Sequence, residues 1–412
     1  MWIVLLALST SSAADNLAEL QEQALKTHPT LEARRSRVQE IEELARVAGA
    51  WTDPVVGVEY SNAPVNSFSL AQHPMSGVQL KVQQKLRPLG WSGAKRDAVS
   101  AMAEAARGDV GESELELELL VARSWWMLIR VRQTRTLTAA HLERIANLRE
   151  AVTSRYQVGQ SGQSSVLRLQ VLEDRLRDDL LEFDRDEAAL VAALTRATGL
   201  DSFETPETSE PIAAPDASDW EKIIRDTRPI FDRLDALEAS AEARVRVAKA
   251  DALPDPSVWA GYRMRLVQTA TDPGTDFVSV GVGVPIPTGS GRRARGEKAA
   301  QLQVIEQVRR QREAVLDLVE AEVIRISSDW ERAYSKSTTY GTSLIPSAES
   351  VLEATTTDFS VGRAGFAALM EAEIALLELD RNLVNATTST HISHAEANAL
   401  LGTEPAPAGD AQ

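Results

Sequence analysis

The sequence predicts a mainly helical protein with a small β part, organised as two tandem helix–hairpin–helix repeats. The first observation is a duplication: Val158-Gly159-Gln160-Ser161-Gly162 recurs 203 positions later as Val361-Gly362-Arg363-Ala364-Gly365. The second is a pair of alternating, strand-like segments in each half, and the third is the length of the helical stretches. A period near two hundred residues is too long for a solenoid of small units and indicates two large, similar halves.

Composition supports helices and narrows the function. The chain has 412 residues, of which 43% are apolar and only 5% aromatic, a balance that fits long helices better than a compact enzyme core. Its net charge of −16 argues against nucleic acid as a partner, because neutralising phosphates requires clustered Lys and Arg. Since it contains no cysteine, disulfides, thiolate metal sites, a catalytic thiol and a lipid-modified N-terminal cysteine are excluded.

The N-terminus resembles an export signal. Residues 2–8 are apolar and are followed by small residues, which is typical of a signal peptide over residues 1–14. The segment lacks basic residues at its start, so a buried first helix is the alternative. No other segment has eighteen consecutive apolar residues, and we expect any membrane insertion to use strands.

Two strand pairs alternate apolar with polar or small residues, one pair in each half. Strands of about nine residues suit a tilted membrane crossing. An ordinary half-buried soluble hairpin would show the same pattern. The apolar positions that we expect to face a membrane are Val56, Val58, Tyr60, Val78, Leu80, Val82, Val258, Tyr262, Val278, Val280 and Val282.

Four strands cannot close a barrel, because the smallest membrane barrels need about eight. A lone hairpin is also marginally stable in water. Assembly would solve both problems: two chains would supply eight strands and three would supply twelve, which leaves no open edge facing lipid.

The remaining chain predicts long helices. From Ala94 to Val158 the only helix breakers are Gly108 and Gly111, and from Arg292 to Val361 they are Gly296, Gly341 and Pro346. Apolar residues recur at coiled-coil spacing at Val315, Val319, Val323, Ile326 and Trp330, and again at Leu369, Ala372, Leu376, Leu379, Leu383 and Ala386. The glycine pairs at 159/162 and 362/365 should reverse the chain between a long helix and its partner.

The order of these elements resembles the TolC-type outer-membrane efflux protein family. The residues that carry the resemblance are Tyr156-Gln157-Val158-Gly159, Phe359-Ser360-Val361-Gly362, Asp53-Pro54, Asn62-Ala63-Pro64 and Gly283-Val284-Pro285-Ile286-Pro287. The resemblance implies a homotrimer with a twelve-stranded barrel in the outer membrane and a twelve-helix coiled-coil barrel that extends into the periplasm. It implies the exit duct of a tripartite pump, with a periplasmic adaptor, an inner-membrane pump and outer-membrane lipid as partners, and no nucleic acid.

The resemblance also suggests roles for the two glycine turns. They correspond to the periplasmic tips of the family, where adaptor hairpins dock and the tube closes at rest. A glycine-containing helix reversal can also act as a hinge. The alternative is a plain turn that needs a left-handed residue. The candidate contact residues are Tyr156, Val158, Gly159, Gly162, Phe359, Val361, Gly362 and Gly365.

A candidate pore aperture follows the second turn. The family often has acidic residues at two positions there, and this chain has Ala368 and Glu371. Three copies of Glu371 around a threefold axis would attract cations and raise one another's pKa; an exposed surface glutamate is the alternative. The resemblance implies an acidic residue at the corresponding position of the first half as well, where this chain has Ser165. The positive residue that latches the second tip in relatives has no match at Ala364, since Arg363 should point elsewhere.

For cargo, Asn62-Ala63-Pro64 paired with Pro74-Met75-Ser76 favours the heavy-metal branch, with passive transport of metal cations. A multidrug or protein-secretion duct of the same architecture is the alternative within the class. A soluble periplasmic coiled-coil adaptor or scaffold is the alternative of another class. His391 and His394 have metal-ligand spacing, but a solvated polar face is the interpretation we favour. We expect no resident metal, no cofactor and no enzyme activity, because catalytic motifs are absent.

Prolines and polar residues suggest the boundaries. Residues 15–200 form the first repeat, 201–217 a linker expected to run outside the tube, 218–402 the second repeat, and 403–412 a disordered tail.

Overall fold

The computed structural model describes residues 13–69, 73–265, 274–286 and 288–403. Most of the expected signal segment, nearly all of the expected tail, Pro287 and most of the second hairpin loop lie outside the described residues. Ala13 and Ala14, the last residues of that signal segment, already belong to the first helix. Among the described residues, none of the helices combines the length and the apolar composition needed to cross a membrane.

The described part of the chain is mainly helical with one small sheet, as the sequence predicts. The helices are α1 (Ala13–Thr27), α2 (Pro29–Val47), α3 (Trp91–Gln157), α4 (Gln163–Thr198), α5 (Trp220–Thr227), α6 (Pro229–Ala250), α7 (Ser290–Thr339), α8 (Ile345–Ser360) and α9 (Phe366–Leu401). Pro29 and Pro229 each occupy the first position of a helix, where the missing N–H costs no hydrogen bond.

Three of the glycines that the sequence marks as helix breakers, Gly108, Gly111 and Gly296, lie inside α3 and α7 and do not end them. Helix α3 continues through Gly108 and Gly111, and a Cβ on Gly111 would lie 2.8 Å from Cγ of Pro229. Gly111 therefore allows close packing rather than a break. Near Gly341, residues Tyr340–Leu344 form one π-helical turn. Pro346, the second residue of α8, lacks the N–H that a regular helix would use, so the helix widens at this turn and then continues as α8.

The four strands form a single antiparallel sheet in the order β1-β2-β3-β4. Their bounds are β1 (Val55–Ser61), β2 (Gly77–Lys85), β3 (Ser257–Arg265) and β4 (Phe277–Gly283). The alternating pattern predicted all four. The pairing of β2 with β3 joins the hairpin of the first half to that of the second, and β1 and β4 form the two edges.

The chain divides into two compact units. Of the described residues, one unit contains 13–33, 110–229 and 315–403, and its core is helical, with Trp125, Leu128, Ile129 and Leu194 fully buried. The other consists of residues 34–109 and 230–314 and contains the sheet. Helices α3 and α7 contribute residues to both.

The predicted coiled-coil seam is largely buried. On α7, Val319, Val323, Ile326 and Trp330 are buried and Val315 is half-buried. On α9, the buried residues are Leu369, Ala372, Leu376 and Ala386. The linker packs against the helices of its unit: the Trp330 indole donates to the Ile212 carbonyl oxygen at 2.9 Å, and Arg132 donates to the Phe203 carbonyl oxygen at 2.7 Å.

Candidate functional site

One face of the sheet is apolar and exposed. Because directly paired residues of adjacent strands point to the same face, the register aligns apolar residues in rows across the sheet. One row is Val58, Leu80, Tyr262 and Val278, and the next is Val56, Val82, Ala260 and Val280. Tyr60 with Val78, and Val258 with Val282, extend this face in both directions.

These side chains are in contact with solvent in the single chain. Val280 is 77% exposed and Val278 75%, and all of the expected membrane-facing residues except Val78 are exposed. A contiguous apolar face of this kind marks an interaction surface, because soluble proteins rarely leave such patches uncovered.

The opposite face of the sheet is polar and closely packed. Gln79 is buried and accepts a hydrogen bond from Arg263 at 2.9 Å. A Cβ on Gly261 would lie 2.3 Å from the Gln79 amide nitrogen, and a Cβ on Gly281 would lie 2.6 Å from the Trp259 ring. The two glycines therefore leave room for side chains of neighbouring strands on this face.

The two glycine turns have the same backbone geometry. After α3, Gly159 has φ of +78° and donates to the Tyr156 carbonyl oxygen at 3.0 Å, while Gln160 donates to that of Arg155 at 2.8 Å. After α8, Gly362 has φ of +76° and donates to Phe359 at 3.2 Å. Arg363 then donates to Asp358 at 2.8 Å. This is the Schellman motif, in which glycine takes the left-handed position that ends a helix.

The next glycine of each turn has a different role. Gly162 (φ −83°, ψ 147°) and Gly365 (φ −77°, ψ 155°) are extended and precede the first residues of α4 and α9. Neither position requires glycine on backbone grounds. Of the predicted contact residues, Tyr156, Val158 and Val361 are exposed, whereas Phe359 is half-buried.

Arg155 connects the two turns. Its guanidinium donates to the carbonyl oxygens of Phe359 at 2.9 Å and Ser360 at 2.7 Å, and lies 4.6 Å from the centre of the Phe359 ring. These carbonyls belong to the last turn of α8, where no further helical turn follows to supply N–H groups, and that of Phe359 also accepts the Gly362 N–H at 3.2 Å. Phe359 also meets Phe366 edge-to-face, and both pack on a cluster that includes Val152 and Leu169. The two turns therefore lie side by side, as the sequence suggested.

The aperture candidate Glu371 is exposed on α9, five residues after its start. Ala368 and Arg363 are exposed as well, and Ala364 is half-buried. The guanidinium that contacts the carbonyls at the end of α8 belongs to Arg155, at the end of α3.

A buried polar cluster joins α3 and α9. Both nitrogens of the buried His141 ring lie 3.0 Å from carboxylates, Nδ1 from Glu373 and Nε2 from Asp380. Burial lowers the pKa of His141, but hydrogen bonds to Asp380 and Glu373 outweigh it, so the pKa is raised above its ordinary value. Nearby, the buried Glu173 is paired with Arg149 at 2.6 Å and with Arg177 at 2.9 Å.

Sequence reasoning missed these residues, although a signal existed. Thr134, Thr138, His141, Ile145, Leu148 and Val152 step by four and three residues along α3, so His141 occupies a coiled-coil core position. Glu173 lies between Leu169 and Leu176 in the same way. A charged residue at a core position indicates a buried ion pair, and its partners become visible only in the fold.

The interpretation of His391 as part of a solvated polar face is wrong. His391 is buried and stacks on Trp126 with ring centres 3.7 Å apart, and its Nε2 lies 2.8 Å from the Glu210 carbonyl oxygen. Burial lowers its pKa to about 4, so the neutral ring donates this hydrogen bond. His394 instead meets Trp330 edge-to-face. In the described part of the chain, no group of three or more His, Cys, Asp or Glu residues could hold a metal ion.

Comparisons with known proteins find one matching family and several solved structures with a similar fold. Residues 224–403 match the family described as Outer membrane efflux protein. The fold is similar to the outer membrane protein VceC from Vibrio cholerae (19% identity, 95% of this chain and 99% of VceC covered, TM-score 0.78). It is similar to CusC, whose structures concern transmembrane channel formation (14% identity, 96% of each chain covered, TM-score 0.73).

A third similar structure is the CmeC outer membrane channel of Campylobacter jejuni, at 13% identity and a TM-score of 0.74, with 94% of this chain and 86% of CmeC covered. A search of curated protein sequences finds no significant match to the chain. Over nearly its whole length the chain has the fold of these outer-membrane channels, and residues 224–403 match the outer membrane efflux protein family.

Proposed function

We propose that this protein is the exit duct of a tripartite efflux system, located in the outer membrane and extending into the periplasm. The observation that carries this proposal is the exposed apolar face of the four-stranded sheet. Moving one exposed valine into an apolar environment contributes roughly 1.5 kcal/mol, and eleven positions share this face. Lipid hydrocarbon is the surrounding that we propose for this face.

The open edges of the sheet support a homotrimer. Strands β1 and β4 each have one unpaired edge, and an unpaired backbone edge cannot remain in hydrocarbon. Pairing β4 of one copy with β1 of the next would close the wall. Three copies supply twelve strands, and their long helices form the twelve-helix barrel below. Because each half supplies only part of this assembly, the repeats 15–200 and 218–402 are not independent domains.

The two glycine turns are the docking site for a periplasmic adaptor, which links the duct to an inner-membrane pump. The exposed Val158 and Val361 support this proposal, because they leave apolar side chains beside tightly ordered turns. Tyr156, Gly159, Gly162, Phe359, Gly362 and Gly365 complete the site.

Glu371 lines the narrow part of the pore in this proposal. Three carboxylates around one axis would favour cations. Replacing Glu371 with Gln should lower the cation selectivity of single channels, whereas Glu353→Gln, an exposed change on α8, should leave it unaltered. Unchanged selectivity in the Glu371 variant would remove it from the aperture.

Heavy-metal cations are the cargo we favour, as substrate and not as a resident group. This preference rests on residues 62–64 and 74–76, and the two segments are in contact. The Asn62 amide donates to the Met75 carbonyl oxygen at 3.0 Å, and the Ser76 hydroxyl donates to the Asn62 carbonyl oxygen at 2.8 Å. Deleting the gene should reduce tolerance to zinc, cobalt, cadmium or copper. Loss of dye tolerance with unchanged metal tolerance would instead indicate a multidrug duct, and unchanged tolerance with loss of a secreted protein would indicate a secretion duct.

The deciding experiment is purification from outer-membrane fractions. We expect an SDS-resistant trimer that conducts ions in planar bilayers. A water-soluble periplasmic monomer that does not conduct ions would contradict the duct and would favour the soluble adaptor or scaffold.

A further inference from the structure

The two segments that lead from the sheet into the long helices are strongly basic. Residues 85–97 and 284–296 together contain seven Lys and Arg residues and one acidic residue, Asp97, in a chain with 44 basic and 60 acidic residues. The segments that lead into β1 and β3, residues 41–54 and 244–256, contain four basic and five acidic residues. Positive charge is therefore concentrated on one pair of connections.

Both basic segments leave the same end of the sheet. Lys85, the last residue of β2, pairs with Ser257, and Ser257 pairs with Gly283, the last residue of β4. The segments then enter α3 at Trp91 and α7 at Ser290.

Among the residues that the structure describes, five of the seven cations have no acidic partner. Lys85 and Arg87 are both paired with Asp255 at 2.9 Å. The other five are exposed, and within the described ranges of the chain none of them forms an ion pair. We call these five residues the basic collar: Lys95, Arg96, Arg292, Arg293 and Arg295.

A second arginine triplet on α7 shows that arginines without an acidic partner are not a general property of this helix. Arg309, Arg310 and Arg312 repeat the spacing of Arg292, Arg293 and Arg295 seventeen residues later. Each of them has an acidic partner: Arg309 lies 2.9 Å from Glu238, Arg310 lies 2.9 Å from Glu306, and Arg312 pairs with Asp235.

The surroundings of the collar identify its partner. Leu89 and Ile286, between the strands and the collar, are 100% and 85% exposed. The collar occupies the first six residues of α3 and α7, within about 9 Å along the helix axis. The headgroup layer on each side of a bilayer is about 5–8 Å thick. Long Lys and Arg side chains cover this distance while their apolar stems remain near hydrocarbon.

We propose that the basic collar binds the anionic headgroups of the phospholipid leaflet at the helical end of the sheet. The inference rests on the proposed function, because the sheet must lie in a bilayer. Attraction to anionic lipid falls off within a Debye length of about 8–10 Å. The paired triplet lies about 25 Å further along α7 and should not contribute.

The test uses the full chain, reconstituted in phosphatidylcholine vesicles that contain brominated phosphatidylglycerol or brominated phosphatidylcholine. Quenching of Trp51 and of Trp91, the first residue of α3, reports which lipid lies next to the protein at the end of the sheet where the collar lies. We expect the anionic lipid to be preferred by at least about fivefold at low salt, the effect of one basic residue at a membrane surface. High salt should abolish the preference.

The variant R292Q/R293Q/R295Q should lose most of this preference, and K95Q/R96Q should lose part of it. The matched control R309Q/R310Q/R312Q should keep the preference of the unmodified chain. Equal quenching by both lipids in the unmodified chain would contradict the binding of anionic lipid by the basic collar. So would a loss of preference in the control R309Q/R310Q/R312Q as large as in R292Q/R293Q/R295Q. Neither result would contradict the proposed exit duct. Quenching by neither lipid would mean that the sheet is outside the bilayer, and both proposals would fail.

Discussion

Arg155 and Phe359 are joined twice, although they belong to different turns of the chain. The Arg155 guanidinium donates a hydrogen bond to the Phe359 carbonyl oxygen at 2.9 Å and also lies 4.6 Å from the centre of the Phe359 ring. A cation at the C-terminus of a helix satisfies free carbonyls and interacts favourably with the helix dipole. Arg155 therefore stabilises the end of α8 from the end of α3.

Replacing Arg155 with Ala should loosen the last turn of α8. Hydrogen bonds from a charged donor contribute about 1.5–3 kcal/mol, so amides of residues 357–364 should exchange with solvent faster. Hydrogen exchange of the assembled protein measures this. Arg168→Ala, an exposed change on α4, is the matched control and should leave these amides unchanged. Equal exchange in both variants would contradict the stabilising role of Arg155.

Gly159→Ala and Gly162→Ala should have opposite effects. Gly159 has φ of +78°, and a Cβ there would meet no atom within 4 Å, so the cost of alanine is the backbone strain alone, about 1–2 kcal/mol. Gly162 has φ of −83°, which alanine adopts freely, and stabilisation of about 0.4–1 kcal/mol is expected. Limited proteolysis of the turn should therefore be faster in Gly159→Ala and no faster in Gly162→Ala. The same rate in both would contradict the left-handed assignment.

His141→Gln should remove a pH-dependent contribution to stability. The folded-state pKa of His141 is raised, so its contribution is present below the unfolded value near 6.5 and is lost as the pH rises through the folded value. The groups that face the ring are Glu373 and Asp380 from α9 and Arg144 from α3. The difference in thermal stability between the unmodified chain and His141→Gln should therefore shrink from pH 5.5 to pH 8.5.

His391→Gln provides a control of opposite sign. Because burial lowers the pKa of His391 to about 4, the folded chain binds fewer protons than the unfolded chain between pH 4 and about 6.5. Its contribution should therefore grow as the pH rises through this range. If the stability differences caused by His141→Gln and His391→Gln changed with pH in the same direction, a protonated His141 between Glu373 and Asp380 would be excluded.

Val280→Arg should prevent assembly, whereas Ser279→Arg should be tolerated better. Val280 is 77% exposed on the apolar face, and its neighbour Ser279 points to the opposite face. An arginine facing the middle of a bilayer costs about 2–4 kcal/mol in each chain. The yield of SDS-resistant trimer from outer membranes measures the difference. Equal yields would place this face in water and favour the soluble scaffold.

Local patterns predicted the elements well. All four strands and the ends of α3 and α8 follow from the alternation of side chains and from glycine, because these signals depend on a few neighbouring residues. The same local rules gave wrong predictions for residues whose conformation or burial depends on tertiary packing. Gly111 does not break α3, since Pro229 fills the space beside it, and His391 is buried against Trp126 rather than solvated.

The sequence by itself determined the element order, the long helices, the two glycine turns and the alternation that makes each strand apolar on one side. These are periodic or conformational properties of the chain. Only the tertiary structure decided that β2 pairs with β3, that Arg155 bonds to α8, and that the carboxylates of α9 surround His141. Each of these contacts joins residues more than a hundred positions apart, and the identity of a distant partner depends on packing that no local pattern encodes.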